Sequence, residues 1–159
     1  MAICDLVDLP PTGVLLALDP GARTIGVAAC DAGRLIASPV ETIARGRRLA
    51  PALERLLALI DARAAVGLVM GLPLNMDGSE GPSSQAARAL AHNILKARNL
   101  PIAFQDERLT TAQAERDMIQ SDMRRDKRAA LIDASAAAII LQTAIDRLAN
   151  QPPPTADRS

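Results

Sequence analysis

VLLALDPGARTIGVAACDAGRLIASPVETI, residues 14–43, decides how this chain folds. VLLAL is a continuous apolar run bounded by turn residues, the pattern of a central strand buried on both faces. TIGVAAC follows at once, and RLIASPVETI comes after the turn Asp31-Ala32-Gly33, so the stretch predicts a three-strand antiparallel meander. The first strand ends on Asp19, where a carboxylate leaves the core. Such a group is costly to desolvate unless a cation or hydrogen bonds meet it. The stretch that sets the fold therefore also raises a chemical question: what meets Asp19.

Beyond residue 43 the pattern changes. Leu49 to Ala62 carries apolar positions at helical spacing, and VGLVMG after it is a short buried strand weakened slightly by Gly67. After the loop LPLNMDGSEGPSS, the segment Pro82 to Arg98 repeats apolar residues every fourth position, with Pro82 suited to a first helical turn. PIAFQ is the next strand and runs into Asp106-Glu107. Thr110 with Gln113 makes a capping-box signature for a helix to about Gln120, and a long Ala/Ile/Leu-rich helix follows over Lys127 to Leu148.

Strand-helix-strand units favour parallel pairing, and the opening meander is antiparallel. The expected fold class is α/β, a mixed five-stranded sheet with an antiparallel meander and then parallel strands, flanked by helices. One domain is expected over residues 14–149, with 1–13 an N-terminal extension and the proline-rich 150–159 a disordered tail. In such sheets functional groups collect beyond the carboxyl ends of the parallel strands.

Composition narrows the function. Eighteen basic and eighteen acidic residues cancel, so attraction for a polyanion has to come from local clusters. Phe104 is the one aromatic residue in the chain, which argues against base stacking as a mode of recognition. Cys4 and Cys30 form no metal-binding or disulfide pattern, and MAICDLVDLPPTG lacks the character of a secretory signal. With no membrane-spanning run, a cytoplasmic protein with no membrane partner is expected.

Three acids stand out. Asp19 ends the first strand, Asp106 and Glu107 end the last, and Asp133 lies in LIDASAAAII at the edge of a stripe formed by Ile132, Ala136, Ile139 and Ile140. Convergent carboxylates do not all stay ionised without cations. Mg2+ or Mn2+, two ions in the expected arrangement, would resolve the conflict, and a metal pair clamps the attacking and leaving oxygens of a phosphodiester. Taken singly, each acid is as well explained by a turn cap or surface ion pair. Adjacent strand residues point to opposite faces, so the pattern leaves Asp106 and Glu107 both open. His92 shares a helix face with Arg88 and Lys96 and reads as a solvated surface residue.

Two basic clusters accompany the acids: Arg45, Arg47 and Arg48 after the third strand, and Arg124, Arg125, Lys127 and Arg128 before the last helix. Positive arms help a polyanion approach a carboxylate site, and phosphate contacts position it without reading sequence. The loop NMDGSEGPSS offers Gly78 and Gly81 as candidate phosphate-facing amides, and Asp77 and Glu80 as accessory acids, against the plainer reading of a mobile connector.

DPGARTIGVAACD, GLPLNMDGSEG, DERLTT and IDASAAAIIL, in this order over Val14 to Ile145, resemble the YqgF family of RuvC-like proteins, described as Holliday-junction resolvases and as nucleases of precursor small-subunit ribosomal RNA. The resemblance implies an RNase H-like fold and metal-dependent phosphodiester cleavage in maturation of pre-16S rRNA. It places the family's acids on Asp19, Glu107 and Asp133 as catalytic and metal-binding residues, and adds Arg23 and Arg108 as phosphate contacts. The expected partner is structured RNA, pre-16S rRNA or a ribosomal particle, or else branched DNA, with the protein a monomer or homodimer. Rival readings are a Holliday junction resolvase, a non-catalytic nucleic-acid-binding module, and a small-molecule phosphotransferase. The last is disfavoured because related kinases close two such domains around a nucleotide.

Overall fold

The computed structural model describes residues 3–107 and 125–150, with side chains in the second span from residue 136 onward. Its elements are β1 (Ile3–Cys4), a 3-10 turn (Leu6–Asp8), β2 (Leu15–Pro20), β3 (Thr24–Cys30), β4 (Ala37–Ala44), α1 (Leu49–Ala62), β5 (Gly67–Leu72), α2 (Pro82–Ala97), β6 (Ile102–Asp106) and α3 (Arg125–Asn150). The predicted capped helix at Thr110 and the polar tail lie outside the described residues.

The strands form one mixed sheet in the order β1-β6-β5-β2-β3-β4. β2, β3 and β4 are the antiparallel meander, while β5 pairs parallel with β2 and β6 parallel with β5. The five expected strands are all present. The stretch expected as an extension adds a sixth, because Ile3 and Cys4 pair parallel with Ile102 and Ala103. Leu6 and Leu9 behind it are buried. Their apolar side chains hold the segment against the sheet, so residues 3–9 pack with the domain.

Strand alternation sorts the residues into two layers. Leu16, Leu18, Ile25, Val27, Leu68, Met70 and Ile102 face α1 and α2 and form a core of large side chains with Leu56, Leu90 and Ile94. The largest of these are fully buried, each worth roughly 1.5–3 kcal/mol of apolar transfer free energy. On the opposite face the sheet offers smaller residues, among them Ala17, Ala28, Cys30, Val69 and Ala103, and α3 answers with Ala137, Ile140, Leu141 and Ala144. Ile140 and Leu141 of the helix thus pack over a sheet face made largely of small side chains. The buried stripe of α3 centres on Ala136, Ala137, Ile140 and Leu141, with Ile139 partly exposed, a slight rotation from the expected stripe.

Candidate active site

Asp19 continues the series Leu15, Ala17 along β2 and so stands on the α3 face, half-buried. Its neighbours on that face are small. Gly26 is its direct cross-strand partner on β3. On the other side, Leu18 pairs with Met70, so the residue after each, Asp19 and Gly71, are lateral neighbours at the ends of β2 and β5. Asp19 is thus flanked on this face by two residues without side chains.

Glu107 follows β6 by one residue and belongs to the same face. Along β6, Ile102 packs in the α1/α2 layer and Ala103 in the α3 layer, so Gln105 and then Glu107 fall on the α3 side and Asp106 on the other. Direct geometry agrees: a Cβ placed on Gly71 would lie 2.8 Å from Glu107 Oε1 and 2.8 Å from Ile140 Cδ1 of α3. The Glu107 carboxylate thus leans from the end of β6 across the neighbouring strand β5, toward the strand that carries Asp19. The choice between Asp106 and Glu107 that periodicity leaves open is a difference of face.

Asp133 lies on α3 seven residues before Ile140, two helical turns and ~10 Å along the axis, in the same helical register. Its side chain lies outside the described residues, as do those of Ile132, Arg125, Lys127 and Arg128, whose backbone belongs to α3. Arg108 and Arg124 lie outside them altogether. Among the described residues no three His, Cys, Asp or Glu side chains gather closely enough to hold a metal ion.

The turn after Asp19 is tightly built. Gly21 N donates to Thr24 O at 2.8 Å, and a Cβ on Gly21 would meet that same oxygen at 2.9 Å, which explains glycine there. Arg45 secures the turn from the end of β4: its backbone N donates to Arg23 O at 2.7 Å and its Nη1 to Gly21 O at 3.0 Å. β4 runs in the same direction as β2, so Arg45, Arg47 and Arg48 emerge at the end of the sheet where Asp19 stands. Arg23, Arg47 and Arg48 are exposed. Pro20, Gly21, Ala22 and Arg45 line an open pocket of about 360 Å³ with Pro82, Ser83 and Ala86 of α2.

The glycine-containing loop after β5 has its own internal order. Asn75 N donates to Ser79 O, Gly78 N donates to Asn75 O, and Ser79 donates to Asp77 Oδ1 through both its amide and its hydroxyl. The Gly78 amide is therefore spent within the turn, and Gly81 N points to Ser84 Oγ. Glu80 is clasped by Arg88 through two hydrogen bonds of 2.6 and 2.9 Å, which hold its carboxyl below the usual range. The same guanidinium lies 4.8 Å over the ring of Phe104, so the lone aromatic is covered rather than displayed for stacking. His92 is exposed on α2, on the far side of the sheet from Glu107.

Asp19 and Glu107 supply only oxygen donors, the set preferred by hard divalent cations such as Mg2+ and Mn2+. Their position on one face, at the ends of two strands separated by β5, suits such an ion. A mixed sheet of this order, with a long helix packed over the acid-bearing face, defines the RuvC-like class of the RNase H-like fold. The chain belongs to the RuvX family, described as Holliday junction resolvase, whose match spans residues 13–147.

The relatives fit that assignment. A protein of Rhodopseudomonas palustris strain BisA53 is 54% identical over 140 residues, covering 88% of this chain and 85% of its own. One from Rhodospirillum rubrum is 49% identical over 158 residues, covering 96% of this chain and 98% of its own. Both carry the name "Putative pre-16S rRNA nuclease". Among solved structures, Thermus thermophilus RuvC in complex with a Holliday junction substrate superposes with a TM-score of 0.58 at 14% identity, covering 87% of this chain and 96% of that one. A second Thermus thermophilus RuvC structure gives a TM-score of 0.52 at 15% identity, over 88% and 99% of the two chains. At that identity the likeness concerns the fold.

Gly71, Gln105 and Arg147 did not enter the sequence reading as site residues. A glycine inside a strand signals close approach of another group, and that signal was present at Gly71. Gln105 and Arg147 are 42 residues apart and carried no local signal.

Proposed function

We propose that this chain is a metal-dependent endonuclease that hydrolyses phosphodiester bonds of the precursor of small-subunit ribosomal RNA, with Asp19, Glu107 and Asp133 as its catalytic and metal-binding acids. The observation that carries the proposal is that Asp19 and Glu107 stand on one face of the sheet, with Glu107 Oε1 lying over Gly71 of β5, the strand between theirs. The names borne by relatives that are about half identical over nearly the whole chain support the RNA substrate.

The residues divide the work. Asp19 and Glu107, with Asp133 on the helix above, would hold two Mg2+ or Mn2+ ions, which neutralise the acids and acidify the attacking water when bound. Arg45 fixes the turn behind Asp19, while Arg23, Arg47 and Arg48 stand exposed beside it to engage phosphates. Arg108, Arg124, Arg125, Lys127 and Arg128 would extend that basic rim from the other side. Such contacts position a backbone without reading bases, in keeping with a single, covered aromatic side chain. A cytoplasmic location fits this substrate, and among the described residues no helix is long and apolar enough to cross a membrane.

A second reading, resolution of four-way DNA junctions, is favoured by the family's description and would require a homodimer to cut two strands symmetrically. Incubating the purified protein with precursor small-subunit RNA and with a four-way DNA junction, in Mg2+, Mn2+ or chelator, separates the two. Metal-dependent cutting of the RNA is expected. Cutting of the junction alone supports the resolvase, and binding without cutting of either supports a non-catalytic module.

A further inference from the structure

We propose that Gly71 is a positioning residue whose missing side chain provides the seat in which the Glu107 carboxylate lies beside Asp19; this rests on the reading of Glu107 as a metal ligand. The seat has three walls. Its floor is the backbone of β5 at Gly71, its roof is Ile140 of α3, and its far side is the end of β2 with Asp19. The point where a Cβ would stand is 2.8 Å from both Glu107 Oε1 and Ile140 Cδ1, closer than such atoms approach one another. Any other residue at position 71 has to move both of them.

What moves decides the consequence. Glu107 Oε1 and Ile140 Cδ1 are both ends of flexible side chains, so the fold can admit a methyl group without displacing backbone. Gly71 lies in extended strand, has no left-handed torsion to preserve, and is buried. Alanine there costs the folded backbone nothing and restricts the unfolded chain, which by itself raises stability. The expected penalty falls on the carboxylate, which is pushed from the central strand back toward the end of β6 and away from Asp19. Gly71 would then be a residue where function and stability pull in opposite directions.

The sheet around it supports this role. On the face of α3, Asp19 is flanked by Gly26 and Gly71, whereas the same strands place Leu18, Ile25 and Met70 on the opposite face.

The test compares wild type, Gly71→Ala, Gly71→Ala/Ile140→Val, Ile140→Val and Glu107→Gln as full-length chains. Mn2+ binding is followed by the electron paramagnetic resonance signal of free Mn2+, and thermal unfolding is measured without metal. Gly71→Ala is expected to melt at or above the wild-type temperature and to bind Mn2+ about 10-fold more weakly, the loss found when support of a metal ligand is disturbed. Ile140→Val deletes the Cδ1 atom, so the double variant should recover part of that affinity relative to Gly71→Ala, with Ile140→Val alone as the reference for the loss of Cδ1. Wild-type Mn2+ affinity in Gly71→Ala overturns the role of Gly71. If Glu107→Gln binds Mn2+ as well as wild type does, the ligand assignment itself falls, whatever Gly71→Ala shows.

Discussion

Arg147 Nη1 donates to Gln105 Oε1 at 2.7 Å, tying the last turn of α3 to β6 two residues before Glu107. Gln105 is fully buried, and its Nε2 is a buried donor with no hydrogen-bond partner among the described residues. Arg147→Ala would leave the whole amide unsatisfied and is expected to cost about 1–3 kcal/mol. Gln105→Leu removes donor and acceptor together at similar volume, and exposed Arg147 returns to water, so its cost should stay below about 1 kcal/mol. Urea unfolding of both variants and of the double variant checks this order. An Arg147→Ala protein as stable as wild type would show that the bond does not help hold α3 to the sheet.

The Glu80–Arg88 clasp makes a prediction in pH. The hydrogen bond from Arg88 is the main cause of the lowered Glu80 carboxyl; desolvation opposes it, and the nearby positive charge adds a lesser lowering. A carboxyl lowered in the folded state contributes stability above its unfolded value and loses it as pH falls through the folded one. The loop should therefore remain clasped from neutrality down through the ordinary glutamate range and loosen only below that range. Titrating Glu80 by carboxyl NMR should give a midpoint below the ordinary glutamate range, and Arg88→Ala should return it to that range. An unchanged midpoint in Arg88→Ala would show that the clasp does not persist in solution.

The exposed arginines predict a salt dependence. With the Asp19→Asn protein, so that RNA stays uncut, Arg47→Ala and Arg48→Ala should each weaken binding to unrelated structured RNAs by a similar factor. Each should also lower the slope of log affinity against log salt by about one. Arg45→Ala should weaken binding and also raise amide exchange at Gly21, because it removes the hydrogen bond to Gly21 O. Slopes unchanged in Arg47→Ala and Arg48→Ala would take that cluster out of the binding surface.

The meander was legible because its three apolar runs are bounded by turn residues, although the third strand begins only at Ala37, leaving Leu35 and Ile36 exposed before it, and α1 was legible because its apolar spacing runs from Leu49 to Ala62. Both signals are local. The sixth strand was not legible: Ile3–Cys4 is two residues long, and its place beside β6 is set by a contact about a hundred positions away. The same divide holds at the site. Asp19 announced itself as a charge ending a buried run, whereas the face of Glu107 depends on where β6 begins its alternation, which periodicity leaves undetermined over five residues. The Gly78 amide, a candidate phosphate donor by composition, proved to be spent on Asn75 O, since a tight turn satisfies its own polar groups first.

The most direct test is metal-dependent cleavage of precursor small-subunit RNA by wild type and Asp19→Asn, with unfolding curves recorded for both. Replacing one carboxylate oxygen by an amide removes charge and a metal donor while keeping shape, so Asp19→Asn should retain the wild-type fold and RNA affinity and lose cleavage by at least about 100-fold. Cleavage by Asp19→Asn at the wild-type rate, or wild-type cleavage that persists in chelator, would contradict the assignment of Asp19 to a metal-holding catalytic centre.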